Sequence, residues 1–149
     1  MTVGHICQRD VDTAEAGESA FQAAERMHQR TVGALVIVDE SSTPIGIVTD
    51  RDLVVRLIAA GLDPHMTSVR DVMTPWPKTV LASTPIESIL GLMQSGAFRR
   101  LPVVNERGQL EGIVTLDDVL LLLSEEFTQV GRLLERESPQ AAAIPLPRR

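Results

Sequence analysis

The sequence predicts an α+β protein made of two copies of one small unit. Three observations carry this expectation. The chain falls on itself without a gap when shifted by 66 positions. Each copy holds an apolar stripe at helical spacing, followed by two short β-branched runs. Helix start and stop signals bracket those stripes.

The shift sets Leu35-Val36-Ile37-Val38-Asp39 on Leu101-Pro102-Val103-Val104-Asn105, and Gly46-Ile47-Val48-Thr49-Asp50-Arg51-Asp52 on Gly112-Ile113-Val114-Thr115-Leu116-Asp117-Asp118. From Gly33 to Leu53, eight of twenty-one aligned positions are identical. Met27 meets Met93, Thr13 meets Thr79 and Ile6 meets Val72. One offset held through strands, loops and helices marks a tandem repeat.

Each unit reads as helix, strand, hairpin, strand, helix. In the second unit Thr84-Pro85-Ile86-Glu87 has the form of a helix start, with Thr as N-cap, Pro at the first helical position and Glu closing a capping box. Ile86, Ile89, Leu90 and Met93 then give a buried face, and Ala20, Ala23, Ala24 and Met27 are a thinner version of it in the first unit. The strands follow as Leu35 to Val38 with Ile45 to Val48, and Leu101 to Val104 with Leu110 to Val114. Polar turns join them, so antiparallel hairpins are expected, and their unbroken apolar runs point to sheets covered on both faces. The first closing helix carries Leu53, Val54, Leu57 and Ile58 and stops at Gly61. The second runs on through a seam of Val119, Leu120, Leu123, Phe127, Val130 and Leu134, with Leu121, Leu122 and Leu133 on other faces. The expected units are residues 6–65 and 69–128. Residues 129–149 form a helical extension and, after Glu137, an Ala- and Pro-rich tail expected to be disordered.

Composition bounds the partners. The 149 residues are 44% hydrophobic and 23% charged, with no Tyr, one Trp and three Phe, so the core must be aliphatic. A unit of roughly 60 residues buries too little surface to stand alone, and two are expected to pack together. The formal net charge of −6 argues against nonspecific binding to nucleic acid or to an acidic membrane. The longest clean apolar run, Val119 to Leu123, cannot span a bilayer, and no signal peptide is read at the start. Cys7 is the single cysteine and cannot form an internal disulfide, which suits a reducing, cytoplasmic location.

Val69-Arg70-Asp71-Val72-Met73-Thr74, then Arg100-Leu101-Pro102-Val103-Val104, then Gly112-Ile113-Val114-Thr115 ending in Asp118, resembles a CBS domain. Gly33-Ala34-Leu35-Val36-Ile37-Val38-Asp39 with Gly46 to Asp52 resembles another. The resemblance covers the chain from about Ile6 to Ser124, and with no attached enzyme or channel domain it implies a stand-alone pair of such domains. It further implies two β-α-β-β-α units packed through their sheets with pseudo-twofold symmetry, two clefts between them, and a disc-like homodimer. The implied function is non-catalytic: binding AMP, ADP, ATP or S-adenosylmethionine and regulating a partner protein.

Thr49 and Asp52 form a T-x-x-D step at a strand-to-helix junction, and Thr115 with Asp118 repeat it. An Asp there can accept bonds from both ribose hydroxyls, and the resemblance implies that this Thr and Asp contact the nucleotide. The other reading is a plain capping box, which Asp, shorter than Glu, is expected to close poorly. Arg51 is a candidate phosphate partner, whereas Asp117 at the matching position would repel phosphate. Arg99 and Arg100 stand where the family often carries phosphate-contacting residues, against uncharged Gly33 and Ala34, so one well-formed site is expected rather than two equal ones. By the same resemblance Thr13-Ala14 and Thr79-Val80-Leu81 line the adenine slot, with Leu35 and Leu101-Pro102 nearby, although core packing also accounts for the apolar ones.

Nothing supports catalysis. His5, His28 and His65 are scattered without metal-ligand spacing, and Cys7 lacks the groups that would make it a nucleophile. Neither a P-loop nor a G-x-G-x-x-G run occurs. Trp76 reads as a loop residue covering the core. The competing reading is a ligand-free dimerisation scaffold, for which the apolar excess of the last helix speaks.

Overall fold

The computed structural model describes residues 1–96 and 98–137, so the expectation for the tail beyond Glu137 lies outside the described residues. After a 3-10 turn over Val3–His5 come β1 (Thr13–Ala14), α1 (Ala20–Arg30), β2 (Ala34–Val38), β3 (Pro44–Thr49) and α2 (Asp50–Leu53), which widens into a π turn over Val54–Ile58. The second repeat gives α3 (Val69–Val72), β4 (Thr74–Pro75), β5 (Val80–Leu81), α4 (Ile86–Gly96), β6 (Arg100–Val104), β7 (Leu110–Thr115) and α5 (Leu116–Glu137).

The hairpins repeat each other down to their irregularities. Leu35 stands opposite Val48 and Leu101 opposite Val114, and the register shifts at Ile37/Val38 and again at Val103/Val104. Both turns use the same device. The Asp39 carboxylate accepts from the Ser41 and Thr43 amides, and the Asn105 carbonyl accepts from the Arg107 and Gln109 amides. A short acceptor side chain that bonds its own backbone a few residues on is what favours Asp and Asn in turns.

Strand alternation sorts the residues between two faces. Leu35, Ile37 and Val48 pack with Ala20, Ala23, Met27, Leu53 and Leu57. Leu101, Val103 and Val114 pack with Ile89, Met93 and Val80. Val36 and Pro102, one position along, are also buried but belong to neither cluster, as expected for sheets covered on both sides. The hairpin tips are tied where the Leu110 amide donates to Ser42 O at 2.8 Å.

Some expected details differ. Ala24 and Leu90 fall off the buried stripe and are exposed. The Thr84 hydroxyl accepts from the Leu81 amide at 3.1 Å, bracing the turn before α4. The reciprocal capping box instead opens α1, between Ser19 and Gln22. Trp76 does not cover the core; it is 78% exposed. In α5 only Val119 of the expected seam is buried, while Leu120, Leu123, Phe127, Val130 and Leu134 face outward.

The repeats are fused by an exchange of their lead-in segments. Val69 and Val72, numbered in the second repeat, are fully buried in the first core, and Val3 is fully buried in the second. The Val69 amide donates to Glu18 O at 2.8 Å and the Arg70 amide to Ala16 O at 3.0 Å. The Val3 amide donates to Thr84 O at 2.9 Å and the Gly4 amide to Ala82 O at 2.8 Å, the same pair of bonds displaced by 66. Farther along, β4 pairs with β3, Thr74 opposite Ile47, and Gln8 exchanges both backbone bonds with Ile113. Each segment lies close over a glycine of its strand, against backbone at Gly112 and against the Met73 side chain at Gly46. A Cβ on Gly112 would stand 2.8 Å from Gln8 O, and one on Gly46 would stand 2.3 Å from Met73 Sδ.

The loop that receives Val69 is braced by an ion pair. Arg26 donates to the Glu18 carboxylate, at 3.0 Å through Nη1, and to Thr13 O at 2.8 Å. The Arg26 hydrogen bond holds the Glu18 carboxyl below its ordinary value of 4.5, against the opposing effect of burial.

Two outcomes follow from this packing. Val69→Ala deletes two methyl groups from the first core and is expected to cost about 2 kcal/mol. In urea unfolding that loss shifts one cooperative transition of the whole protein; a separate early transition of either repeat contradicts the fusion. The Glu18 pair stabilises the fold above the unfolded carboxyl value, and its contribution fades as pH falls through the lowered folded value. The stability difference between wild type and Glu18→Gln is therefore constant near neutrality and shrinks on acidification below about pH 4.5. A difference that grows with acid contradicts the assignment.

Candidate functional site

Because the lead-in segments cross, each cleft between the repeats is walled by both of them. The first cleft, about 290 Å³, takes Ile47, Thr49 and Asp52 from the first repeat and Thr74, Pro77, Lys78, Phe98, Arg99 and Arg100 from the second. The second cleft, about 380 Å³, is its counterpart under the 66-residue shift: Ile113 and Thr115 with Gln8, Val11, Asp12, Val32, Gly33 and Ala34, joined by Asp10, Asp117 and a shared Arg100. Arg99 and Arg100, far in sequence from Thr49 and Asp52, thus meet them in one cavity.

At both strand-to-helix junctions the T-x-x-D step is a closed capping box, which corrects the expectation that Asp closes it poorly. Asp52 Oδ2 accepts from the Thr49 amide at 2.9 Å, and the Asp52 amide donates to Thr49 Oγ1 at 3.1 Å. Asp118 Oδ2 accepts from the Thr115 amide at 2.8 Å, and the Asp118 amide donates to Thr115 Oγ1 at 3.2 Å. The cap uses one carboxylate oxygen, so what the other oxygen does separates the two clefts.

Around the second cleft Gln8, Thr115, Asp10 and Asp12 are engaged by neighbouring side chains, while among the described residues Asp117 and Arg100 take no part. Asp118 Oδ1 accepts from Gln8 Nε2 at 3.0 Å, and the Thr115 hydroxyl bonds Asp118 Oδ2 at 2.9 Å. Arg30 reaches Asp12 at 2.7 Å and Asp10 at 3.1 Å, and the Asp12 hydrogen bond holds its guanidinium above the ordinary range. In the first cleft the same positions stay open. Among the described residues no hydrogen bond uses the Thr49 hydroxyl as a donor, and Asp52 Oδ1 meets only Arg56 Nη2, at 3.5 Å. The ion pairs among the described residues include none of Lys78, Arg99 or Arg100. Three cations against the single carboxylate of Asp52 line the first cavity. The second holds three carboxylates and the shared arginine.

Several expected site residues sit elsewhere. Leu35, Leu101, Ala14 and Val80 are packed against the helices, because alternate strand residues turn that way. Thr13 gives its carbonyl to Arg26. Thr79 is partly buried and Pro102 buried, and neither lines the first cavity; Arg51 is exposed and also outside its lining. Sequence reasoning missed Ile47, Thr74, Pro77, Lys78 and Phe98. Lys78 directly precedes the Thr79-Val80 pair that had been expected to line the slot, which was the one available signal.

Among the described residues, no group of three His, Cys, Asp or Glu side chains is placed to hold a metal ion. No described helix is long and apolar enough to cross a membrane.

The profile of the CBS domain matches residues 3–59 and 69–125. An uncharacterized protein of Methanopyrus kandleri is 38% identical over 120 residues, covering 80% of this chain and 61% of that protein. A CBS domain-containing protein of Arabidopsis thaliana is 37% identical over 132 residues, covering 89% of this chain but 23% of its own length. The YlbB protein of Bacillus subtilis is 43% identical over 113 residues, covering 75% of this chain and 74% of its own. Among solved structures, CBSX2 in complex with AMP superposes with a TM-score of 0.75 at 29% identity, covering 83% of this chain and 97% of that one. A CBS domain pair in complex with 5'-methylthioadenosine and S-adenosyl-L-methionine gives 0.75 at 25% identity, covering 85% and 98%. The chain belongs to the CBS domain family and contains two copies of the domain.

Proposed function

We propose that this CBS-domain pair is a non-catalytic regulatory module that binds an adenine nucleotide in the first cleft and reports its presence to a partner protein. The observation that carries the reading is the convergence of Lys78, Arg99 and Arg100, free of ion pairs among the described residues, on the cavity that holds Asp52. Three unneutralised cations suit phosphate groups, with the arginines able to engage two oxygens at once. They oppose the sulfonium charge of S-adenosylmethionine, so AMP, ADP and ATP fit this cleft better.

In this reading Asp52 Oδ1, the oxygen outside the cap, accepts from the ribose hydroxyls. The Thr49 hydroxyl donates to phosphate, and Ile47, Pro77 and Phe98 provide the apolar wall for adenine. The relatives support an adenosyl ligand, since CBSX2 is in complex with AMP and another CBS pair with two adenosyl compounds. A nucleotide that binds one packing of the repeats better than another shifts the population toward it, and this changes the surface offered to a partner.

A second reading rests on a separate observation. Leu120, Phe127, Val130 and Leu134 leave an apolar strip along α5, with Phe127 75% exposed. Such a strip suits association of two copies, whether as the frame of the sensor or as a scaffold without ligand.

One titration separates the readings. Melting temperature and sedimentation are followed with AMP, ADP, ATP, GTP and S-adenosylmethionine, on wild type and on the Arg99→Ala/Arg100→Ala variant. An adenine nucleotide at about 100 times its dissociation constant should add about 2.7 kcal/mol and raise melting by several degrees. The variant should keep the unliganded melting temperature and lose most of that gain. No response of wild type to any of the five, with Phe127→Glu converting a dimer to monomers, establishes the scaffold instead.

A further inference from the structure

The first cleft contains one contact that its twin lacks. Arg56 stands on the π turn that follows α2, and it touches three groups at once. Its Nη2 lies 3.5 Å from Asp52 Oδ1, while Nη1 donates to Val72 O and to Thr74 Oγ1, both at 3.0 Å. Val72 and Thr74 belong to the lead-in segment that crosses from the second repeat, so one guanidinium joins the cleft carboxylate to the crossing strand. The position 66 residues on is Leu122, which cannot do this. There Gln8, the counterpart of Thr74, bonds Asp118 directly. The closing helix also differs, with a π turn around Arg56 and regular α-helix around Leu122. Single π turns gather at functional sites, where they re-aim a side chain.

We propose that Arg56 is a positioning residue that couples occupancy of the first cleft to the crossing segment Val72–Pro75. The inference rests on the nucleotide reading above. Arg56 holds Asp52 Oδ1 clear of the helix cap and aimed for a ribose hydroxyl. A ligand that engages this oxygen alters the pull on Arg56, and Arg56 passes the change to Val72 and Thr74. Coupling of this kind is reciprocal: whatever loosens Arg56 from Thr74 also weakens the ligand. Trp76 follows two residues later and is the single tryptophan of the chain, so its fluorescence reads the segment without a label. Its amide is anchored to Ile45 O at 2.9 Å and its side chain is 78% exposed.

The test is ADP binding by calorimetry with Trp76 fluorescence, on wild type, Arg56→Gln, Arg56→Lys, Thr74→Val and the Arg56→Gln/Thr74→Val double variant. Arg56→Gln is expected to weaken ADP about tenfold, the loss of one charge-assisted orienting contact. Arg56→Lys should recover only part, since an ammonium lacks the fork that spans carboxylate and carbonyl. Thr74→Val should weaken ADP in wild type and have no further effect on Arg56→Gln, because the two act as one unit. At saturating ADP the Trp76 change should be present in wild type and absent in Arg56→Gln. Wild-type affinity in Arg56→Gln, a Thr74→Val effect that is the same in both backgrounds, or a Trp76 response that survives in Arg56→Gln overturns the coupling while the nucleotide reading stands. If wild type binds neither ADP nor any other adenine nucleotide, the reading itself falls and the coupling with it.

Discussion

The rest of the structure depends on the exchange of lead-in segments. Val3 fills the second core and Val69 and Val72 fill the first, so neither repeat can complete its interior without the other. Units of this size gain little stability alone, and the exchange joins them through buried side chains and paired backbone. It also dictates sequence at a distance. Gly112 leaves room for the Gln8 backbone that passes over it, and Gly46 for the Met73 side chain. The clefts are a product of the same crossing, since each is closed by a segment that arrives from the opposite repeat.

One scaffold used twice has been put to different ends. Around the second cleft Gln8, Asp118 and Thr115 bond one another, and Arg30 pairs with Asp12 and Asp10. In the first, Gly33 and Ala34 give way to Arg99 and Arg100, and Asp12 to Lys78. Three exposed cations stand there against the one carboxylate of Asp52, which gives that cavity a positive balance that its twin lacks. The two clefts thus differ in their bonding: side-chain contacts among the second cleft's neighbours, open donors in the first.

Much of this was legible in the sequence because a repeat is its own alignment. The offset located both hairpins to within a residue at most ends, and Gly61, at φ +70°, ends the first closing helix where expected. The unequal split of charge between the repeats was visible as well. The crossing was not, since nothing in Val69-Arg70-Asp71-Val72 tells which of two similar cores will take it. For that reason Lys78 and Phe98 went unnoticed, and nothing in the sequence pointed to Arg56. Leu35 and Leu101 were assigned by resemblance, but strand alternation turns them to the helices and Val36 and Pro102 away from them. The Asp residues close their caps because the N-cap and third helical positions approach within a short side chain's reach.

The central claim is that two clefts of one origin differ in what they can hold, and counting bound nucleotide tests it most directly. Native mass spectrometry with excess ADP is expected to find one ADP per chain, removed by Arg99→Ala/Arg100→Ala and retained in Asp12→Ala. Two ADP per chain, or an occupancy that follows Asp12 instead of the arginines, contradicts the account.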